Sequence, residues 1–203
     1  MRTKLDLSPK KRPSTARGDQ TYRAVVAATA RLLERDGYEA LTTNHVAERA
    51  GVGIASVYEF FPGKHAIVAA VVEQMVESVI ADLAVGLEQA FAHGDDPITE
   101  WIHAMFGAIA RRKRLYTVLV QEVPFLWQVP AVLSARGRLH ELALRARALR
   151  PAATASPHAE AMTHLVPIMV ANAVIDSVIR PPHGIEPEAL ELAVVAAVKR
   201  LVR

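Results

Sequence analysis

Three side chains near the middle of the first half are typed and spaced to hold phosphate. Lys64 stands at a predicted helix start, where its ammonium and the free backbone N–H groups both favour an anion. Tyr58 carries a hydroxyl that can donate to a phosphate oxygen, and Thr43 can do the same from a helix start of its own. They lie in residues 40–64, ALTTNHVAERAGVGIASVYEFFPGK, which reads as two short helices joined by a tight turn at Gly51. That is the pattern of a helix-turn-helix whose second helix enters the DNA major groove. Thr43 is also the predicted N-cap of the first of the two helices.

Basic residues precede this unit. Arg2, Lys4, Lys10, Lys11, Arg12, Arg17 and Arg23 face only Asp6 and Asp19 in the same stretch. Such an arm attracts phosphates without reading sequence, and it equally fits a solvated disordered tail; the two readings are compatible. Net charge over the 203 residues is only +3, so placement matters more than amount.

The chemistry of turnover is not visible. There is no cysteine, which excludes disulfides, thiolate metal sites and a cysteine nucleophile. No nucleophile–base pair, phosphate-cradling glycine loop or metal-ligand spacing stands out, and no cofactor is called for. An all-α enzyme using one buried histidine is the catalytic alternative, and a DNA binder without a small-molecule ligand is the other.

The elements that position these groups are helical. Apolar residues make up 51% of the chain and aromatics only 5%, with Ala, Val and Leu prominent and no long alternating stretch. An all-α fold is expected. Residues 1–19, with Pro9, Pro13, Ser14 and Gly18 among charges, are expected to be disordered. Helices are predicted over 20–36, closed by Gly37, then 43–50, 54–61 and a long one over 64–92. The last would span roughly 40 Å, long enough to belong to two domains. Asp96-Pro97 pairs an N-cap with proline at N1 and opens a helix to about residue 113. Helices over 115–122 and 130–150 follow, then a linker at 151–156. Ser156-Pro157 starts a helix to about residue 180, with Pro167 inside it, and the last helix covers 187–201. Apolar runs such as 192–198 fall far short of the roughly 20 residues that cross a bilayer. No signal peptide is read at the N-terminus, so a soluble, cytoplasmic protein with no membrane partner is expected.

Gly37-Tyr38, Leu41-Thr42-Thr43, Val46-Ala47, Ala50-Gly51-Val52, Tyr58, Phe61 and Lys64 together resemble the DNA-binding domain of the tetracycline-repressor (TetR) family, without insertions over about 25–67. The resemblance implies a helix-turn-helix domain over 20–66 and a ligand-binding and dimerisation domain over 67–203. It implies that Asn44, Ile54, Ala55, Ser56 and Glu59 lie near the groove floor, with Thr43, Tyr58 and Lys64 on phosphates. Ile54 and Ala55 suit thymine methyls, and Asn44 suits a base edge. Gly53 and Gly63 stand where the family often has a serine cap, and the second helix has no Arg, Gln or Asn for a bidentate base contact. The implied activity is that of a ligand-responsive regulator, a repressor released from a double-stranded DNA operator by a small molecule.

The last two long helices are apolar nearly all round: over 189–198 only Glu191 interrupts. Such helices must be covered on more than one side. The resemblance implies that they pair with their twins in a homodimer. Bulky residues in the middle helices, Trp101, Met105, Phe106, Tyr116, Phe125, Trp127, Met162 and Met169, suit a largely apolar ligand cavity. His140 and Asn172, with His103 and His164, are its candidate polar fixtures; ordinary core packing is the competing reading for each.

Overall fold

The computed structural model describes residues 5–148 and 158–202. Arg2 and Lys4 of the basic arm, the linker at 151–156 and the Ser156-Pro157 helix start lie outside the described residues. All regular structure among the described residues is helical, in the order α1 (Ala16–Asp36), α2 (Thr43–Ala50), α3 (Ile54–Phe60), α4 (Lys64–His93), α5 (Pro97–Ala110), α6 (Lys113–Glu122), a 3-10 turn (Leu126–Gln128), α7 (Pro130–Ala148), α8 (Ala159–Ile179) and α9 (Pro187–Leu201).

Two units emerge from the packing. The first holds the described residues up to Met75 and takes in Arg114–Leu133; the second holds Val76–Lys113 and the residues from Ser134 onward. The long helix α4 contributes its first turns to one and its remainder to the other. The first unit therefore extends beyond the helix-turn-helix helices to include most of α6 and the 3-10 turn.

In the first unit, α1 begins four residues before the predicted start. Thr15 caps it, its Oγ1 accepting from the Gly18 N–H at 3.1 Å. It ends where Gly37 adopts φ +80°, and a Cβ there would lie 2.7 Å from the Glu122 carboxylate. That carboxylate accepts the Tyr38 N–H at 2.8 Å, which fastens α6 to the turn after α1. Val25, Leu33, Val46, Val57, Phe61 and Ile67 are fully buried and form the core under α2 and α3. Tyr22 stacks on Phe61 with centroids 4.8 Å apart, and meets Phe60 edge-on at 5.9 Å.

In the second unit, α5, α8 and α9 pack on one another around Ile102, Met105, Val170, Val174, Val195 and Val198. The Asp96-Pro97 start of α5 is realised: Asp96 Oδ2 accepts from Thr99 N at 3.2 Å and from Thr99 Oγ1 at 2.6 Å. Pro167 is buried inside α8 and supplies no N–H to the Thr163 carbonyl one turn earlier. His140 Nδ1 on α7 lies 3.4 Å from that carbonyl and is placed to serve it. Among the described residues, α8 is the one helix long and apolar enough to cross a membrane by length and composition, an exception to the expectation that no stretch qualifies. No uninterrupted apolar run in α8 reaches that length; the helix qualifies only as a whole, with isolated polar residues along it. One of its sides packs on α5 and α9, and its other side remains open.

Candidate nucleic-acid interface

The short helix α3 is amphipathic by position. Val57, Phe60 and Phe61, the residue that closes it, are turned into the core. Ile54, Ala55, Tyr58 and Glu59 are exposed, Ile54 by 38% and Tyr58 by 43%, and Ser56 is half-buried between the two sides. Ile54, Ala55 and Tyr58 lie together on one solvent-facing side of α3, which leaves that side available for contact. Asn44, on the first turn of α2, is exposed too.

The turn between the two helices depends on Gly51, whose φ +68° and ψ +32° lie in the left-handed region. Its N–H and that of Val52 reach back to the Glu48 and Ala47 carbonyls at 3.1 and 3.0 Å. The N-cap of α2 is Thr42, not Thr43 as expected: Thr42 Oγ1 accepts the His45 N–H at 3.2 Å. The shift by one residue leaves the Thr43 hydroxyl off the capping position, and it meets the Tyr58 hydroxyl at 3.1 Å. Two of the candidate phosphate donors thus touch each other across α2 and α3. Gly53 heads α3 with no side-chain cap.

Lys64, the third candidate, is half-buried. Its Nζ donates to the Tyr38 carbonyl at 2.9 Å and sits 4.1 Å from the centre of the Tyr38 ring. An ammonium has three donors, so this bond fixes the side chain and leaves others for an anion.

The basic arm contributes what the sequence did not disclose. Its described part is tied to α3 and α4, where disorder was expected. Lys10 donates from its backbone N to the Phe60 carbonyl at 2.7 Å and from Nζ to the Tyr58 carbonyl at 2.9 Å, serving the open C-terminal end of α3. Lys11 pairs with Glu59 at 2.6 Å. Arg12 grips Glu73 through bonds of 2.6 and 2.8 Å. The Glu73 bond raises the Arg12 pKa above its ordinary value against the opposing effect of burial, so this guanidinium stays charged. These partners lie 48 and 61 residues away, and no local spacing announces them.

The ligand candidates disperse. In the second unit a cavity of about 400 Å³ has Trp101 and Met162 in its lining. Met105 and Phe106 are buried and are not in that lining. Tyr116 and Phe125 are buried in the first unit, Phe125 against Tyr38 and His65. Trp127 is 59% exposed on the 3-10 turn. Met169 and Asn172 lie on the open side of α8, and Asn172 donates to its own helix at Ile168 O. His140 sits beside His164 with centroids 5.3 Å apart, and His103 is exposed, paired with Glu191 at 2.7 Å. The cavity also takes in Leu87, Arg147, Thr163 and Lys199, which bulk and aromaticity did not flag.

Residues 25–71 match the model of the bacterial regulatory proteins, tetR family. Those residues form a tetR-family domain. Its second and third helices are α2 and α3, and its boundary falls inside α4. The likeness in fold extends over nearly the whole chain. A proposed TetR-family transcriptional regulator from Syntrophomonas wolfei superposes with TM-score 0.69 at 15% identity, covering 90% of this chain and 95% of that one. The fatty acid degradation regulator FadR from Bacillus halodurans gives 0.68 at 16% identity, covering 93% and 96%. NalD of Pseudomonas aeruginosa, the secondary repressor of the MexAB-OprM multidrug efflux pump, gives 0.63 at 17% identity, covering 90% and 96%. No curated protein matches the chain. The tetR-family domain thus stands within a chain whose likeness in fold to these regulators covers 90–93% of its length.

Proposed function

We propose that this chain is a DNA-binding transcriptional regulator that acts as a homodimer and is released from its operator by a small molecule. The observation that carries the reading is the open face of α3 in a tetR-family domain, with Ile54 and Ala55 outward and the Tyr58 and Thr43 hydroxyls in contact; Lys64, at the start of α4, supplies the third donor. Ile54 and Ala55 meet thymine methyls, Asn44 a base edge, and the three flanking donors the phosphates. Ser56 and Glu59 complete the groove-facing set.

The open sides of α8 and α9 support pairing with a second copy. Leu165, Met169, Leu192 and Leu201 are 46%, 54%, 69% and 48% exposed, and Ala173, Ala193, Ala196 and Ala197 are exposed on the same two helices. Small residues let a partner helix approach closely, and the leucines supply apolar area to remove from water. The cavity in the second unit supports a small-molecule effector, and a ligand acts on DNA affinity only through its different affinity for the two states. Repression is the direction taken by analogy with NalD, which is described as a repressor.

The test is a footprint of the full chain on the DNA upstream of its own gene. The expected result is two protected half-sites about one helical turn, roughly 34–36 Å, apart. Uniform coating of the DNA, or no protection at all, refutes the reading.

A further inference from the structure

The walls of the cavity in the second unit are apolar: Leu87 from α4, Trp101 from α5, Met162 and Val166 from α8 and Val198 from α9. Its charged groups among the described residues are Asp96, Arg147 and Lys199. Asp96 and Lys199 answer each other at 2.8 Å. Among the described residues Arg147 has no such partner. Its Nη1 reaches only Thr163 Oγ1, at a long 3.4 Å, and that hydroxyl gives its own proton to the Ala159 carbonyl at 2.7 Å. One neutral, distant acceptor leaves most of a guanidinium's five donors unused. The described lining thus holds one negative and two positive charges, an excess of one positive charge beside a hydrocarbon wall.

A planar guanidinium fork matches a carboxylate, which accepts two parallel N–H bonds. An alcohol of the same length leaves the charge unanswered, and an amine meets repulsion. We propose that the cavity binds an apolar monocarboxylate, its head on Arg147 and its body against Trp101, Met162 and Val166. The regulatory meaning of this site rests on the ligand-released reading above; the chemistry of binding does not.

The test is calorimetric titration of the full chain with three probes of equal length: sodium decanoate, decanol and decylamine. Decanoate is expected to bind more tightly than decanol by roughly tenfold or more, a step of about 1.4 kcal/mol, and decylamine least. Arg147→Gln is expected to bring decanoate and decanol level, while Arg147→Lys keeps the preference; circular dichroism melts show whether each variant is folded. Equal binding of decanoate and decanol, preference for decylamine, no binding of any probe, or a preference that survives Arg147→Gln overturns the proposal. A parallel DNA titration separates the two ideas. Decanoate bound through Arg147 without any change in DNA affinity upholds the site and refutes release by ligand.

Discussion

Glu59 sits on the face of α3 assigned to the DNA groove, where a bare carboxylate would oppose the phosphates on either side. Lys11 answers that charge at 2.6 Å, with both side chains about half exposed (53% each). An exposed pair of this kind contributes little to folding, typically below about 1 kcal/mol. Its effect falls on the field presented to DNA. Lys11→Glu is therefore expected to weaken DNA binding on the order of tenfold at low salt while leaving the melting temperature nearly unchanged. Adding Glu59→Lys to the same chain is expected to recover most of the loss, as read by fluorescence anisotropy on an operator duplex. A double variant as weak as the single one would mean that Lys11 acts on phosphate directly and not through Glu59. The sequence showed Lys11 as part of a basic arm and Glu59 as part of the reading helix. It could not show them together, because the contact depends on how the arm lies along α3. Lys64 teaches the same point from the other side: its place at a helix start was legible, its bond to the Tyr38 carbonyl was not.

Among the elements, α5 shows how far local chemistry reaches. Burial alone would raise the Asp96 carboxyl, but hydrogen bonds from Lys199 and from the Thr99 hydroxyl and N–H outweigh it and hold the group below its ordinary value. A carboxyl lowered in the folded state stabilises the fold at pH above its unfolded value, about 3.9. That contribution disappears as pH falls through the lowered value. Asp96→Ala is expected to cost about 1 kcal/mol near neutral pH, the usual cost of a lost N-cap. Asp96→Asn is expected to cost less and to flatten the acid limb of stability against pH, measured by urea unfolding across the acid range. An acid limb unchanged in Asp96→Asn would assign the pH dependence to other carboxylates. Asp96-Pro97, Gly37 and Gly51 were legible because capping and left-handed turns need particular residues within a few positions. The start of α1 was not, since Thr15 caps it ahead of polar residues with no apolar period. Thr42 and Thr43 offer the same chemistry side by side, and only backbone geometry chose between them. The ligand candidates divide between core, surface and cavity for a similar reason. Bulk marks a core as readily as a cavity, so Met105 and Phe125 are buried outside the lining that Trp101 and Met162 share, while Arg147 and Thr163 join that lining without apolar or aromatic bulk to mark them.

For the molecule as a whole, the proposed pairing of two copies rests on the exposed apolar stripe along α8 and α9. Leu192 is 69% exposed and central to α9. Leu192→Arg places a charge where a second copy would have to desolvate it, a cost of several kcal/mol for each unpaired ion. The variant is expected to run as a monomer in sedimentation analysis, to remain helical by circular dichroism, and to lose tight operator binding. A variant that still sediments as a dimer would move the interface elsewhere. The all-α class and the apolar terminal pair were legible in the sequence, because a helix with no polar side announces two coverings. The allotment of most of α6 to the first unit was not, because it follows from the long-range bonds of Glu122 and the packing of Phe125.

The residues proposed to join two copies, Leu165, Met169, Leu192 and Leu201, share no member with the face proposed to read DNA. A chain crippled at Ile54 or Tyr58 would therefore still seek out healthy siblings. In a cell carrying both alleles, the damaged product would draw intact chains into pairs able to hold one half-site only, and the fault would be inherited as a dominant trait.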